Sequence, residues 1–115
     1  MESILIVDDE PDLLEMVQIS LETEGYECMV AYDGFRALNR ARKEKPDLIT
    51  LDLEMPGEWG PRFYRKLRKD KELKDTPIIV ISGIDGDHAV KDAVEFVAKP
   101  FDPDKVLGIV KRTIG

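Results

Sequence analysis

The chain has few cysteines, no excess of basic residues and no long apolar run. Its 115 residues include one cysteine, one histidine and one tryptophan. The lone Cys28 excludes an internal disulfide. It falls in a strand-like run and reads as a small buried filler, which suits a reducing, cytoplasmic setting. No apolar run approaches the length of a membrane span. Met1-Glu2-Ser3 leads straight into a short strand rather than into a signal peptide. Positive charge is short as well: 17 Lys and Arg stand against 24 Asp and Glu, a formal net charge of −7. That balance argues against nonspecific nucleic-acid binding, which needs a basic face. A glycine-rich phosphate loop is also missing, because Gly83 and Gly86 lack both the spacing and the lysine. No linker, repeat or low-complexity tract divides the chain. Residues 1–115 therefore read as one domain, long enough for a real core.

What is there is an alternation of apolar runs and amphipathic stretches. Strand-like runs cover residues 4–7, 27–31, 48–51, 78–81 and 96–98. Pro11 opens the first helix, whose stripe is Leu13, Leu14, Val17 and Leu21, with Gly25 as its stop. A second helix follows the turn at Gly34, carries Phe35, Leu38 and Ala41, and is broken by Pro46-Asp47. The third packs Phe63, Tyr64 and Leu67, and its Arg62, Arg65, Lys66, Arg68 and Lys69 read as a solvated face. A short fourth helix has Ala89, Val90, Ala93 and Val94 as its stripe. The last is capped by Asp102, starts at Pro103 and turns Val106, Leu107, Val110 and Ile114 inward. Five strands alternating with five helices predict an α/β fold, a doubly wound five-stranded parallel sheet covered on both faces. The second strand is more polar at its start and suits an edge, which favours the order 2-1-3-4-5.

Five polar residues follow those runs: Asp8, Asp9, Asp52, Ser82 and Lys99. In open α/β sheets, function gathers at the carboxyl ends of the strands, at the switch point. In this order that point lies between strands one and three, which deliver Asp8, Asp9 and Asp52. Clustered carboxylates repel one another, and a divalent cation removes the penalty. Oxygen-only ligands select a hard ion such as Mg²⁺, with Asp9 and Asp52 as direct ligands and Asp8 acting through a water. A carboxylate is also a nucleophile toward phosphorus, and Asp52 is the central one. Singly, each residue has a plainer use: an acid after a strand as a helix cap, a serine in a turn, a Lys-Pro in a loop. Together, on one rim, they point to phosphoryl chemistry.

The same residues carry a family resemblance. Ile4-Leu5-Ile6-Val7-Asp8-Asp9-Glu10-Pro11, the run from Asp47 to Pro56 around Asp52, Pro77-Ile78-Ile79-Val80-Ile81-Ser82-Gly83, and Lys99-Pro100-Phe101 together resemble the receiver domain of bacterial response regulators, the flavodoxin-like (CheY-like) fold. The resemblance implies that Asp52 is the phosphoacceptor and Asp8 and Asp9 the acidic pair. It makes the backbone carbonyl of Glu54 a further Mg²⁺ ligand, Ser82 the switch hydroxyl and Phe96 the aromatic switch. Lys99 becomes the phosphate-contacting lysine, and the Lys99–Pro100 bond is expected to be cis. The phosphoryl group would come from a sensor histidine kinase or a histidine phosphotransfer protein. The product would be a changed affinity for an output protein of unknown identity, with no enzymatic turnover, no direct nucleic-acid contact and no membrane.

Two departures from the family pattern stand out. The stretch between Ser82 and Lys99 is several residues short, which shortens the fourth helix. Glu54 and Ile84 stand where residues look toward the phosphoryl group. His88 reads as solvated, and Trp59 as partly buried without function. The main alternative is a pseudo-receiver that binds partners without using phosphate. An aspartyl-phosphate hydrolase would want Asp where Glu54 stands, and a flavin or nucleotide binder would want a phosphate loop after strand one.

Overall fold

The computed structural model describes residues 2–55, 59–83 and 93–115, with the side chain of Trp59 outside that description. Five strands, β1 (Ser3–Val7), β2 (Glu27–Ala31), β3 (Leu48–Asp52), β4 (Ile78–Ser82) and β5 (Glu95–Ala98), form one sheet in the order β2-β1-β3-β4-β5. Every pairing is parallel. The helices among the described residues are α1 (Pro11–Thr23), α2 (Gly34–Glu44), α3 (Trp59–Lys69) and α4 (Pro103–Ile114). The expected fourth helix, His88 and Ile84 fall in residues 84–92 and lie outside the described residues, as do Pro56 and Gly57. Of the stripe assigned to that helix, Ala93 and Val94 are described and neither is helical. Val94 is exposed, and its N–H donates to the Ile78 carbonyl, leading the chain into β5.

Successive strand residues point to opposite faces, so an unbroken aliphatic strand feeds two layers at once. Leu5, Val7, Ile49, Leu51, Ile78 and Val80 pack under α2 and α3, against Leu38, Phe63 and Leu67. Ile4, Ile6, Leu48, Ile79 and Ile81 pack under α1 and α4, against Leu14, Val17, Leu21, Val106 and Val110. The outer strands β2 and β5 are only partly covered.

The helix ends follow their local chemistry. Pro11 opens α1, Gly25 takes φ 96° just beyond its end, and the Asp102 side chain caps α4 by accepting from Asp104 N–H. Asp33 caps α2 through Arg36 N–H at 2.8 Å. Two helical residues depart from the sequence expectation. Phe35 is 63% exposed, because the buried stripe of α2 is Gly34, Ala37, Leu38 and Ala41. Phe35 lies off that stripe, so its ring faces outward. Arg68 is not simply solvated. Its guanidinium donates to the carbonyls of Lys74 and Thr76 and lies over the Tyr64 ring, so it holds the turn between α3 and β4.

Gly60 fixes how α3 meets β3. A Cβ there would stand 2.6 Å from the Leu53 Cα and 2.9 Å from the Asp52 carbonyl oxygen. Both are backbone atoms and cannot swing aside. Gly60→Ala is therefore expected to cost about 2–3 kcal/mol by overpacking. A denaturant melt checks this, and a wild-type midpoint would show that α3 can shift freely.

Candidate functional site

The carboxyl ends of β1, β3, β4 and β5 meet on one rim. Asp8 and Asp9 follow β1, Asp52 ends β3, Ser82 ends β4 and Lys99 follows β5. Asp8, Asp52 and Ser82 are buried and Asp9 is half-buried. Asp52 stands opposite Ile81 in the ladder, which sets Ser82 one residue farther out on the neighbouring strand. Lys99 N–H donates to the Ser82 carbonyl, and the Lys99–Pro100 bond is cis, as the resemblance implied.

The acids are held by the backbone around them. Asp8 Oδ1 accepts from Glu10 N–H at 2.9 Å, and Asp52 Oδ1 accepts from Glu54 N–H at 2.8 Å. Neither Asp8 nor Asp9 caps α1, because the cap position is Glu10 and its side chain makes no capping bond. Lys99 Nζ lies 3.1 Å from Asp52 Oδ2, 3.3 Å from Glu10 Oε1 and 3.9 Å from Glu54 Oε2. The Asp52 contact is an ion pair without hydrogen-bond alignment, so Oδ2 is buried and accepts no hydrogen bond.

One carboxylate oxygen from each of Asp8, Asp9, Glu10 and Asp52 lies within 4.8 Å of the others. Glu10 was not among the ligands expected from the sequence, although it directly follows the acidic pair. The Glu54 side chain adds another acid to the rim. Its carboxylate lies where a Cβ on Gly83 would come within 2.8 Å, and it reaches toward Lys99. Phe96 stands apart from this cluster, half-buried on β5 and packed against the α2–α3 core.

The crowding shows in the electrostatics. Burial, and then the charge of Asp52, push the Asp8 carboxyl up to about 7. Burial and Asp52 also raise Asp9. Burial by itself would lower the Lys99 ammonium, but the carboxylates of Asp8, Asp52 and Glu10 outweigh it and raise its pKa. Four carboxylates crowded round the single ammonium that reaches them among the described residues are a donor set that fits a hard divalent cation.

Residues 4–111 match the response regulator receiver domain. The chain belongs to that family. It is 35% identical over 117 residues to the phosphate regulon transcriptional regulatory protein PhoB of Pseudomonas aeruginosa, covering 97% of this chain and 51% of that protein. The receiver thus spans about half the length of that relative. Among solved structures, the chemotaxis response regulator CheY4 of Vibrio cholerae superposes with a TM-score of 0.89 at 31% identity, covering 99% of both chains. Response regulator TrrA of Thermotoga maritima, solved in complex with Mg²⁺-BeF, gives a TM-score of 0.88 at 36% identity, covering 99% of this chain and 100% of that one. The receiver has the CheY-like fold, and none of its described helices is long and apolar enough to cross a membrane.

Proposed function

We propose that this receiver is a cytoplasmic phosphorylation switch in which Asp52 accepts a phosphoryl group from a phosphohistidine. The donor is a sensor histidine kinase or a histidine phosphotransfer protein. The observation that carries the reading is the Asp52 carboxylate. It is buried, anchored through Oδ1 by Glu54 N–H, and ion-paired through Oδ2 with the Lys99 ammonium at 3.1 Å.

In the transfer, an Asp52 oxygen attacks phosphorus, the phosphorus–nitrogen bond of the donor breaks, and the imidazole leaves and takes a proton. Mg²⁺, held by Asp8, Asp9 and Asp52 with the Glu54 carbonyl, would neutralise charge on the phosphoryl oxygens. Glu10 is a further candidate ligand. The Mg²⁺-BeF complex of the Thermotoga relative supports cation binding by this fold.

Lys99 is shared among Glu10, Asp52 and Glu54 before phosphorylation. A phosphoryl group on Asp52 adds charge and acceptor oxygens, and draws Lys99 and the Ser82 hydroxyl toward it. Phe96, two strands from Asp52, packs on the core of one layer and carries the change outward to an output protein. The chemistry is stoichiometric transfer rather than turnover of a small substrate.

Acetyl phosphate with Mg²⁺ should add one phosphoryl group to the wild type by intact mass, and none to Asp52→Asn. Labelling of that variant would move the acceptor elsewhere. An unlabelled wild type would favour the pseudo-receiver reading.

A further inference from the structure

The sheet begins at β2, whose second side has no neighbouring strand among the described residues. In a parallel ladder, alternate residues turn both N–H and C=O to the same side. Glu27 N–H donates to the Glu2 carbonyl and the Ala31 carbonyl accepts from Asp8 N–H. Glu27, Met29 and Ala31 therefore serve β1, and Cys28 and Val30 present their backbone groups outward. Natural edges are usually blunted by lysine, proline or a bulge. Glu27–Ala31 contains no lysine or proline, its one charge is Glu27 at the start, and its register with β1 runs without a bulge.

A groove of about 570 Å³ lies between this edge and α2, lined by Val30, Ala31, Tyr32, Arg40 and Lys43 among others. Neither Arg40 nor Lys43 has an ion-pair or hydrogen-bond partner among the described residues. Helix α2 carries Arg36, Arg40, Arg42 and Lys43 against Glu44 alone, in a chain of net charge −7. Tyr32 is 44% exposed at the mouth of the groove.

We propose that the β2 edge and the α2 groove form a docking site for an extended acidic segment of a partner protein, which adds to the sheet as a further strand. The open N–H and C=O groups supply the backbone pairing, and the unpaired cations supply the charge preference. A second copy pairing edge to edge about a two-fold axis would set cationic α2 against itself. It would also set α1, which has Asp12, Glu15 and Glu22 and no basic residue, against itself. A nucleic acid would use the cations but leave the strand edge unpaired.

The two faces of the edge differ, and this sets the pattern of the ligand. Side chains of an added strand alternate between faces. Those on the α2 face meet Arg40, Lys43 and Tyr32 toward the end of β2, with Glu44 at the edge of the groove and Glu27 on the same face at the start of the strand. Those on the other face approach α1, whose Glu22 already places negative charge near Cys28. The segment recognised therefore carries acids at the alternate positions that face Arg40 and Lys43, and none beside Glu27 or on the α1 face.

Three labelled peptides test this: alternating Glu-Val, a block isomer of the same composition, and alternating Lys-Val. The alternating acidic peptide should bind, and the block isomer should bind at least about tenfold more weakly. At saturation, amide exchange at Cys28 and Val30 should slow about tenfold or more while Met29 is unchanged. Arg40→Glu combined with Lys43→Glu should lose the acidic peptide and gain the Lys-Val one. Val30→Pro removes an outward donor but no bond to β1, and should abolish binding in a folded protein. Asp52→Asn should bind like the wild type, so this site stands or falls apart from the phosphoacceptor.

Equal binding of the block isomer, or unslowed exchange at Cys28 and Val30, would overturn the proposal, as would no binding of the alternating peptide. So would a DNA oligomer that competes without protecting the edge amides, or a homodimer in sedimentation that protects Val30. If Val30→Pro does not fold, wild-type amide exchange decides.

Discussion

In EDTA at pH 8, Asp8→Asn is expected to melt about 8 °C above the wild type, a gain of roughly 2 kcal/mol. The carboxyl of Asp8 is buried beside Asp52, and its pKa is pushed up to about 7 from an ordinary 3.8. The folded state thus binds this proton more tightly than the unfolded state does. Stability from this group is full below about pH 4, falls as pH rises toward 7, and stays low above that. Asparagine removes the charge and keeps an oxygen for Glu10 N–H. Asp9, Glu10 and Asp52 remain as facing acids and Lys99 as the facing cation. The advantage should therefore shrink as pH falls from 7 to 4. Mg²⁺ should reverse the order at pH 8, because the variant has lost part of the cation site. Melting curves across pH, with and without Mg²⁺, read all three effects. A variant that gains nothing at pH 8 would show that Asp8 is comfortably charged.

Lys99→Ala should move stability the other way. The ammonium contacts Asp52, Glu10 and Glu54, and its side chain is only 13% exposed. Removing it leaves the acids of the rim facing one another with no cation between them among the described residues. Loss of one partner from a buried ion pair costs about 3 kcal/mol, or roughly 12 °C here. The raised Lys99 pKa means that the wild type keeps this contribution through neutral pH and loses it only as pH rises through the folded value, above 10.5. The deficit of the variant should be largest in EDTA at pH 8. It should narrow as the acids protonate, and Mg²⁺ should largely refill it. The variant should still accept a phosphoryl group on Asp52, but amide exchange at Ser82 and Phe96 should no longer respond to it. A deficit equal at pH 8 and pH 4.5, and untouched by Mg²⁺, would mean that Lys99 acts only through the packing of its hydrocarbon stem.

Much of the architecture was legible because strand period and strand position carry it. Unbroken aliphatic runs marked β1, β3 and β4 as central, and the polar start of β2 marked an edge. The polar residues just past those strands then had to share a rim. Side chains that act against their usual habit were not legible. Phe35 sits at a core-like spacing, yet α2 packs through glycine and alanine and turns the ring out. Arg68 sits in a basic run, yet its planar fork serves two carbonyls of a turn that no helical period describes. Glu10 read as part of a motif, but the start of α1 brings it back over the acidic pair. Glu54 was assigned a role through its backbone, and its long side chain reaches Lys99 as well.

The division of the interior by the sheet has a consequence for how such a domain can vary. The two clusters of buried side chains share no residue, and the strand backbones stand between them as a wall. A volume change under α3 is felt by Phe63 and Leu67 but has no side-chain path to Leu14 or Val110. Substitutions on opposite sides should thus combine additively, and those within one side should not. Each layer can drift at its own pace under separate demands. The rim at the strand ends, hung from backbone common to both layers, keeps its spacing while the layers diverge.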